Sequence, residues 1–199
     1  MRFTYREQRD LFLAGIMISA AFAILLSGGL PSILSFDPRI LIVFGIAFFT
    51  AGIGFLLHEL MHKYVAQRYG LGAEFQAFYP MLWLAIVFSF FGFIFAAPGA
   101  VFISGAMTRE RNGKISLAGP ATNIVLAALF AGALFLTRLE PSLWQTLFEV
   151  GLSINALLAV FNMIPVAPFD GAKILAWNKG AYTFTVVIAL ALFILSMWW

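Results

Sequence analysis

Apolar residues run along this chain in long stretches, with the polar ones gathered between them. Leu11–Leu30, Arg39 to about Tyr69, Ser116 to about Leu136, about Leu143–Ile164 and about Tyr182–Trp199 are mostly apolar. Each offers about the 20 residues a helix needs to cross a bilayer, the second with length to spare. Gly28, Gly29 and Pro31 close the first run, and Ile40–Leu57 is almost purely apolar. The stretch Ala73–Gly105 breaks the pattern. Met81–Ala97 is apolar enough to span, but Pro98-Gly99 interrupts it and Ala100–Ile103 reads as extended chain. Asn112-Gly113, between Thr108–Arg111 and Lys114–Leu117, reads as a hairpin turn. The pattern predicts an all-α polytopic membrane protein of about five transmembrane helices. A small strand or re-entrant insertion is expected between the second and third helices.

Composition points the same way. The chain of 199 residues is 62% hydrophobic and 11% charged, against about 45–50% and about 25% in soluble domains. The bilayer is therefore the expected solvent. One domain is expected over 1–199, with its core at about 40–173 and no separate regulatory domain. There is no cysteine, which excludes disulfides and cysteine-held metal. The basic residues form no stripe, so no nucleic-acid partner is expected. Arg2, Arg6 and Arg9 precede an apolar run too long for a signal peptide, and despite the cleavage-like Ala21-Phe22-Ala23 the run reads as a retained helix.

The sides of the membrane follow from the positive charges. With the N-terminus cytoplasmic and five spans, Arg2, Arg6, Arg9, Lys63, Arg68, Arg109, Arg111, Lys114, Lys173 and Lys179 fall inside, and only Arg39 and Arg138 outside. A sixth span at Met81–Ala97 would destroy this bias. It would also separate His58 from Asn123, so Met81–Ala97 is expected to re-enter or lie on the surface. A multi-pass protein of the cell membrane follows, with its active site near the cytoplasmic side.

The chemistry is concentrated in His58-Glu59-Leu60-Met61-His62, which holds the only two histidines in the chain. On a helix, residues i and i+4 share one face. Two imidazoles so placed can grip one zinc ion, and Glu59 can act as general base toward a water on it. A hydrolytic zinc site needs a third protein ligand. No third histidine exists, so it must be a carboxylate. Of the nine acidic residues, Glu7 and Asp10 lie before the first span, and Asp37, Glu140 and Glu149 fall on or near the far side. Glu74 and Glu110 sit in the cytoplasmic connection. Asp170 sits at the cytoplasmic end of the fourth span, in the proline-broken Pro165–Gly171. Layout ranks Asp170 first and Glu74 next.

These motifs resemble the site-2 protease family of intramembrane zinc metalloproteases in its short prokaryotic form. His58–His62 matches H-E-x-x-H, Gly119-Pro120-Ala121-Thr122-Asn123 resembles G-P-x-x-N, and Asn162–Pro165 with Asp170-Gly171 resembles N-x-x-P-x-x-x-x-D-G. Phe169 stands where the family often has leucine. The resemblance implies His58, His62 and Asp170 as ligands of one Zn2+ per chain, with Glu59 as base. It also implies that Asn162 holds the scissile carbonyl or its oxyanion, and that Asn123 positions the substrate or the site. The implied partners are a transmembrane-segment substrate protein and the lipid bilayer; the oligomeric state is left open. An extended substrate would pair with a strand edge at Ala100–Ile103, and a basic Arg109–Lys114 loop would flank a water channel. Gly45, Ala51, Gly52 and Gly54 would let helices approach closely. The competing readings are a divalent-metal transporter and a non-cleaving membrane protein that binds metal or peptide. The first lacks acids staged along a path, and an intact Glu59 weighs against the second.

Overall fold

A computed structural model of the chain describes residues 1–35, 38–94, 97–137 and 142–198. Asp37, Arg138, Glu140 and Trp199 lie outside the described residues. Five of the helices are long and apolar enough to cross a membrane: Tyr5–Leu26, Ile40–Arg68, Arg109–Thr137, Leu143–Asn162 and Lys179–Ser196. Phe12, Leu129, Phe135, Phe184, Val187 and Ile194 on these helices are exposed. Soluble monomers rarely expose such broad apolar faces. The protein is an all-α polytopic membrane protein with a small two-stranded sheet.

Helix α1 (Tyr5–Leu26) starts six residues before the predicted Leu11 and ends four before Leu30. Thr4 caps it, accepting the Glu7 N–H at 3.1 Å. Polar residues hid the first two turns from a hydropathy reading. Gly28 and Gly29, at φ of 95° and 74°, end it, and the short α2 (Leu30–Leu34) follows. The second span runs unbroken as α3 (Ile40–Ala47), a π-helical turn at Phe48–Gly52, and α4 (Ile53–Arg68). The π turn was not expected.

Strand β1 (Gly72–Ala77) comes next, then α5 (Tyr79–Ser89) and β2 (Gly99–Ser104). The 11 residues of α5 rise about 16 Å, well short of the roughly 30 Å of a hydrocarbon core. The non-spanning reading of Met81–Ala97 fits this length, and the extended Ala100–Ile103 lies in β2. The strands pair, with the Phe78 N–H on the Pro98 carbonyl at 3.0 Å. At Gly99 a Cβ would stand 2.4 Å from the Gln76 carbonyl oxygen.

The hairpin expected at Thr108–Leu117 is absent. Helix α6 (Arg109–Thr137) runs through it. Thr108 accepts the Arg111 N–H at its start, Lys114 pairs with Glu110 one turn on, and Gly113 lies against Trp177, where a Cβ would come within 2.3 Å. Asn-Gly reads as a turn only when its flanks favour strands. The basic loop expected at Arg109–Lys114 is therefore the first turns of α6. Helices α7 (Leu143–Asn162), α8 (Asp170–Trp177) and α9 (Lys179–Ser196) complete the chain. The short α8 went unanticipated.

The chain forms two compact units. One comprises Leu57–Ala73 and Ile103–Trp199. In it α6 packs on α7 and α8, and α7 on α9, around Ala127, Ala131, Leu134, Leu152 and Ala156. The other comprises Arg2–Leu56 and Glu74–Phe102, where α1 packs on α3, the π turn and α5. Gly52 serves close approach there, since a Cβ would lie 2.3 Å from Ser19 Oγ. Gly45 does not: it faces open space.

Candidate metal centre

Helix α4 carries His58, Glu59 and His62, all buried. Among the described residues they form a group able to hold a metal ion, with candidate ligand atoms within 4.8 Å of one another. One helical turn apart, the two imidazoles bring their Nε2 atoms to 3.0 Å. Asp170, the first residue of α8, is buried beside them. Its Oδ2 lies 3.0 Å from His62 Nε2 and 3.5 Å from His58 Nε2. Glu74 lies in β1 and accepts a hydrogen bond from the Thr4 hydroxyl.

The other ring nitrogens decide which atoms face the centre. His62 Nδ1 is 2.7 Å from the Ile115 carbonyl oxygen. A carbonyl only accepts, so the proton sits on Nδ1 and the Nε2 lone pair points inward. His58 Nδ1 is 2.6 Å from Asn123 Oδ1, which sets the same tautomer. Pro120, inside the same helix, lacks the N–H that would bond the Ser116 carbonyl, one residue on from Ile115.

Three lone pairs thus converge from two imidazoles and one carboxylate. Such an arrangement repels itself unless a proton or a cation lies between. A tetrahedral zinc ion about 2.0–2.1 Å from each donor would hold its donors about 3.3 Å apart. The observed 3.0, 3.0 and 3.5 Å bracket that spacing. The donor set and its size fit zinc.

The surroundings leave little freedom. A Cβ at Gly119 would lie 2.4 Å from His62 Nε2 and 2.5 Å from His58 Nε2. Only glycine lets the α6 backbone back the site this closely. At Gly171 a Cβ would meet the Met163 carbonyl oxygen at 2.3 Å, so this glycine is what lets α8 start where it does. Burial acts to raise the Asp170 carboxyl, but positive charge between it and the imidazoles, as a proton or a cation, outweighs burial and holds the group well below the usual carboxylate range. Its other oxygen, Oδ1, accepts from Lys173 at 3.2 Å.

Asn123 lies against His58. Asn162 turns its Nδ2 to the Leu158 carbonyl of its own helix, 2.9 Å away. Two contributors were not foreseen. Lys173 was read only as an inside charge. Asn155, wholly buried, receives the Asn123 amide at 3.0 Å. Its signal was available: an amide in the middle of an apolar span, seven residues and so two turns before Asn162. Lys63, also read as an inside charge, is buried with Nζ on the Ala73 carbonyl at 2.9 Å.

Known proteins share this chain's sequence. It is 38% identical over 200 residues to "Putative zinc metalloprotease MJ0611" of Methanocaldococcus jannaschii, a match covering 100% of this chain and 98% of the relative. It is 35% identical over 122 residues to "Putative zinc metalloprotease Rip3" of Mycobacterium tuberculosis, covering 60% of this chain and 27% of that longer protein. A third relative, "Zinc metalloprotease MJ0392" of Methanocaldococcus jannaschii, is 27% identical over 134 residues, covering 67% of this chain and 34% of its own length. No family model matches the chain, and no solved structure does.

Proposed function

The chain belongs to the site-2 protease family of zinc metalloproteases, and from that premise we propose that it hydrolyses peptide bonds within or near transmembrane segments of other membrane proteins. The observation that carries the reading is Asp170 Oδ2 at 3.0 and 3.5 Å from the two Nε2 atoms.

In this reading His58, His62 and Asp170 hold one zinc ion per chain. When bound, zinc supplies a Lewis acid that polarises a carbonyl and acidifies water. Glu59 takes a proton from the attacking water and delivers it to the leaving amine nitrogen. Its position next to His58 in sequence, on a helix whose ligand face is already committed, suits that task better than ligation. Asn162 steadies the oxygen of the scissile carbonyl. Its amide has two hydrogens, so one can stay on Leu158 while the other donates to substrate. Asn123 positions His58.

A helical substrate must unwind before its carbonyls are open to attack. Strand β2 pairs with β1 on one side, and its other edge, which pairs with no strand among the described residues, can receive the unwound segment. On β1, by contrast, the Phe75 and Ala77 N–H groups are taken by Glu7 and Asp10 at 2.8 and 3.3 Å. Charge placement supports a cytoplasmic N-terminus and a site near the cytoplasmic face of the cell membrane.

The test is cleavage of a panel of transmembrane peptides by the purified, zinc-loaded protein. The Glu59→Gln variant should keep its zinc and lose at least about 100-fold in rate. Wild-type rates in that variant would overturn the role given to Glu59.

A further inference from the structure

The proposed mechanism gives Asn155 no task, yet the residue is wholly buried and joined by hydrogen bonds through Asn123 to His58. Its Nδ2 donates to the Gly151 carbonyl of its own helix at 2.9 Å. Its Oδ1 accepts from Asn123 Nδ2 at 3.0 Å, and Asn123 Oδ1 faces His58 Nδ1 at 2.6 Å. Asn123 and Asn155 are both 0% exposed, so water does not substitute for either amide.

The direction of this chain matters more than its strength. An amide is nearly symmetric in shape and opposite in polarity at its two ends. Were Asn123 flipped, its NH2 would face His58 and demand a lone pair on Nδ1. The ring proton would then sit on Nε2, the nitrogen that faces Asp170 and His62, and the metal-facing lone pair would be lost. Asn155 opposes the flip, because a flipped Asn123 would set oxygen against oxygen. Asn155 is held in turn by the Gly151 carbonyl, which only accepts.

We propose that Asn155 is a positioning residue for the metal centre: through Asn123 it transmits the polarity of the Gly151 carbonyl to His58 and keeps Nε2 unprotonated and aimed at the ion. The proposal rests on the zinc reading. It assigns a task to a residue about two helical turns from Asn162 along α7, with no contact to substrate. Outer partners of this kind typically govern metal affinity by about 10–100-fold.

The experiment compares wild type, Asn155→Leu and Asn155→Asp in detergent. Zinc affinity is read by competition with a chromophoric chelator, ligand geometry by the visible spectrum of the cobalt-substituted protein, and thermal unfolding on the metal-free protein. Leucine removes the acceptor and keeps the branched shape in a larger side chain, so zinc binding should weaken by about 10–100-fold with a changed cobalt spectrum. Aspartate, protonated so that its hydroxyl donates to the Gly151 carbonyl, keeps an acceptor toward Asn123 and should restore both, even where the leucine variant folds poorly. A purely structural Asn155 would instead lower the unfolding temperature and leave the zinc affinity and cobalt spectrum of the folded protein unchanged, which overturns the proposal. Loss of affinity in the aspartate variant equal to that in the leucine variant also overturns it. A wild-type protein that takes up no zinc fails at the earlier step, and the zinc reading falls with it.

Discussion

The protein buries two sets of ionisable side chains, one in each compact unit, and they have opposite fates. Glu7 and Asp10 on α1 are 1% and 2% exposed. Their oxygens are met by proton donors: the Phe75 N–H at 2.8 Å, the Ala77 N–H at 3.3 Å and the Tyr79 hydroxyl at 2.7 Å. His58, His62 and Asp170 are buried to a similar degree. The Nδ1 hydrogens of the two histidines point outward to Asn123 and Ile115, and the Nε2 lone pairs and Asp170 Oδ2 point at one another. Burial of ionisable groups is thus common to a clamp and to a candidate metal centre. What separates them is whether the inward atoms already have donors. The acid pair closes one edge of a sheet, whereas the histidine–aspartate set still calls for a cation.

Asp170→Ala attacks this contrast hardest. Zinc affinity should fall by at least about 100-fold, since one of three ligands is lost. Equilibrium dialysis would show it, and full occupancy in the variant would leave the centre no different from a buried polar cluster. Gly119→Ala is expected to come next. The added methyl must displace imidazoles held at their far sides by Ile115 and Asn123. Zinc content should drop while the unfolded fraction, followed by circular dichroism, changes little. Glu7→Leu probes the other side of the contrast. It leaves the Phe75 N–H without its acceptor, at a cost of about 1–3 kcal/mol in stability by chemical denaturation, with zinc affinity unaltered. A loss of zinc there would mean that the two sets act as one. Gly45→Ala should have the smallest effect, under about 1 kcal/mol, because nothing lies where its methyl would go.

The sequence exposed the contrast unevenly. That His58, His62 and Asp170 would come together was legible because each belongs to a pattern with few explanations: two lone histidines at helical spacing, and an aspartate among prolines at the end of a span. Long apolar runs marked the spans, since lipid demands them. The acid clamp was missed because Glu7 and Asp10 lie in the polar opening of α1. Hydropathy placed them before the helix, and nothing local says that a strand edge far along the chain will meet them. The Asn112-Gly113 turn failed for the related reason that Trp177 packs on Gly113 and holds it helical. Asn155 was hidden by its ordinariness, since a single amide in a span often only joins helices. Its meaning lies in the order of donors and acceptors, which only coordinates reveal.

X-ray absorption at the zinc edge on the purified wild type and Asp170→Ala bears on the convergent donors themselves. The wild type should show about one zinc per chain with two imidazole nitrogens and carboxylate oxygen at about 2.0–2.2 Å, and the variant should lose the carboxylate contribution or the metal. An identical first shell in both proteins, or a wild type without imidazole scattering, would contradict the assignment of His58, His62 and Asp170.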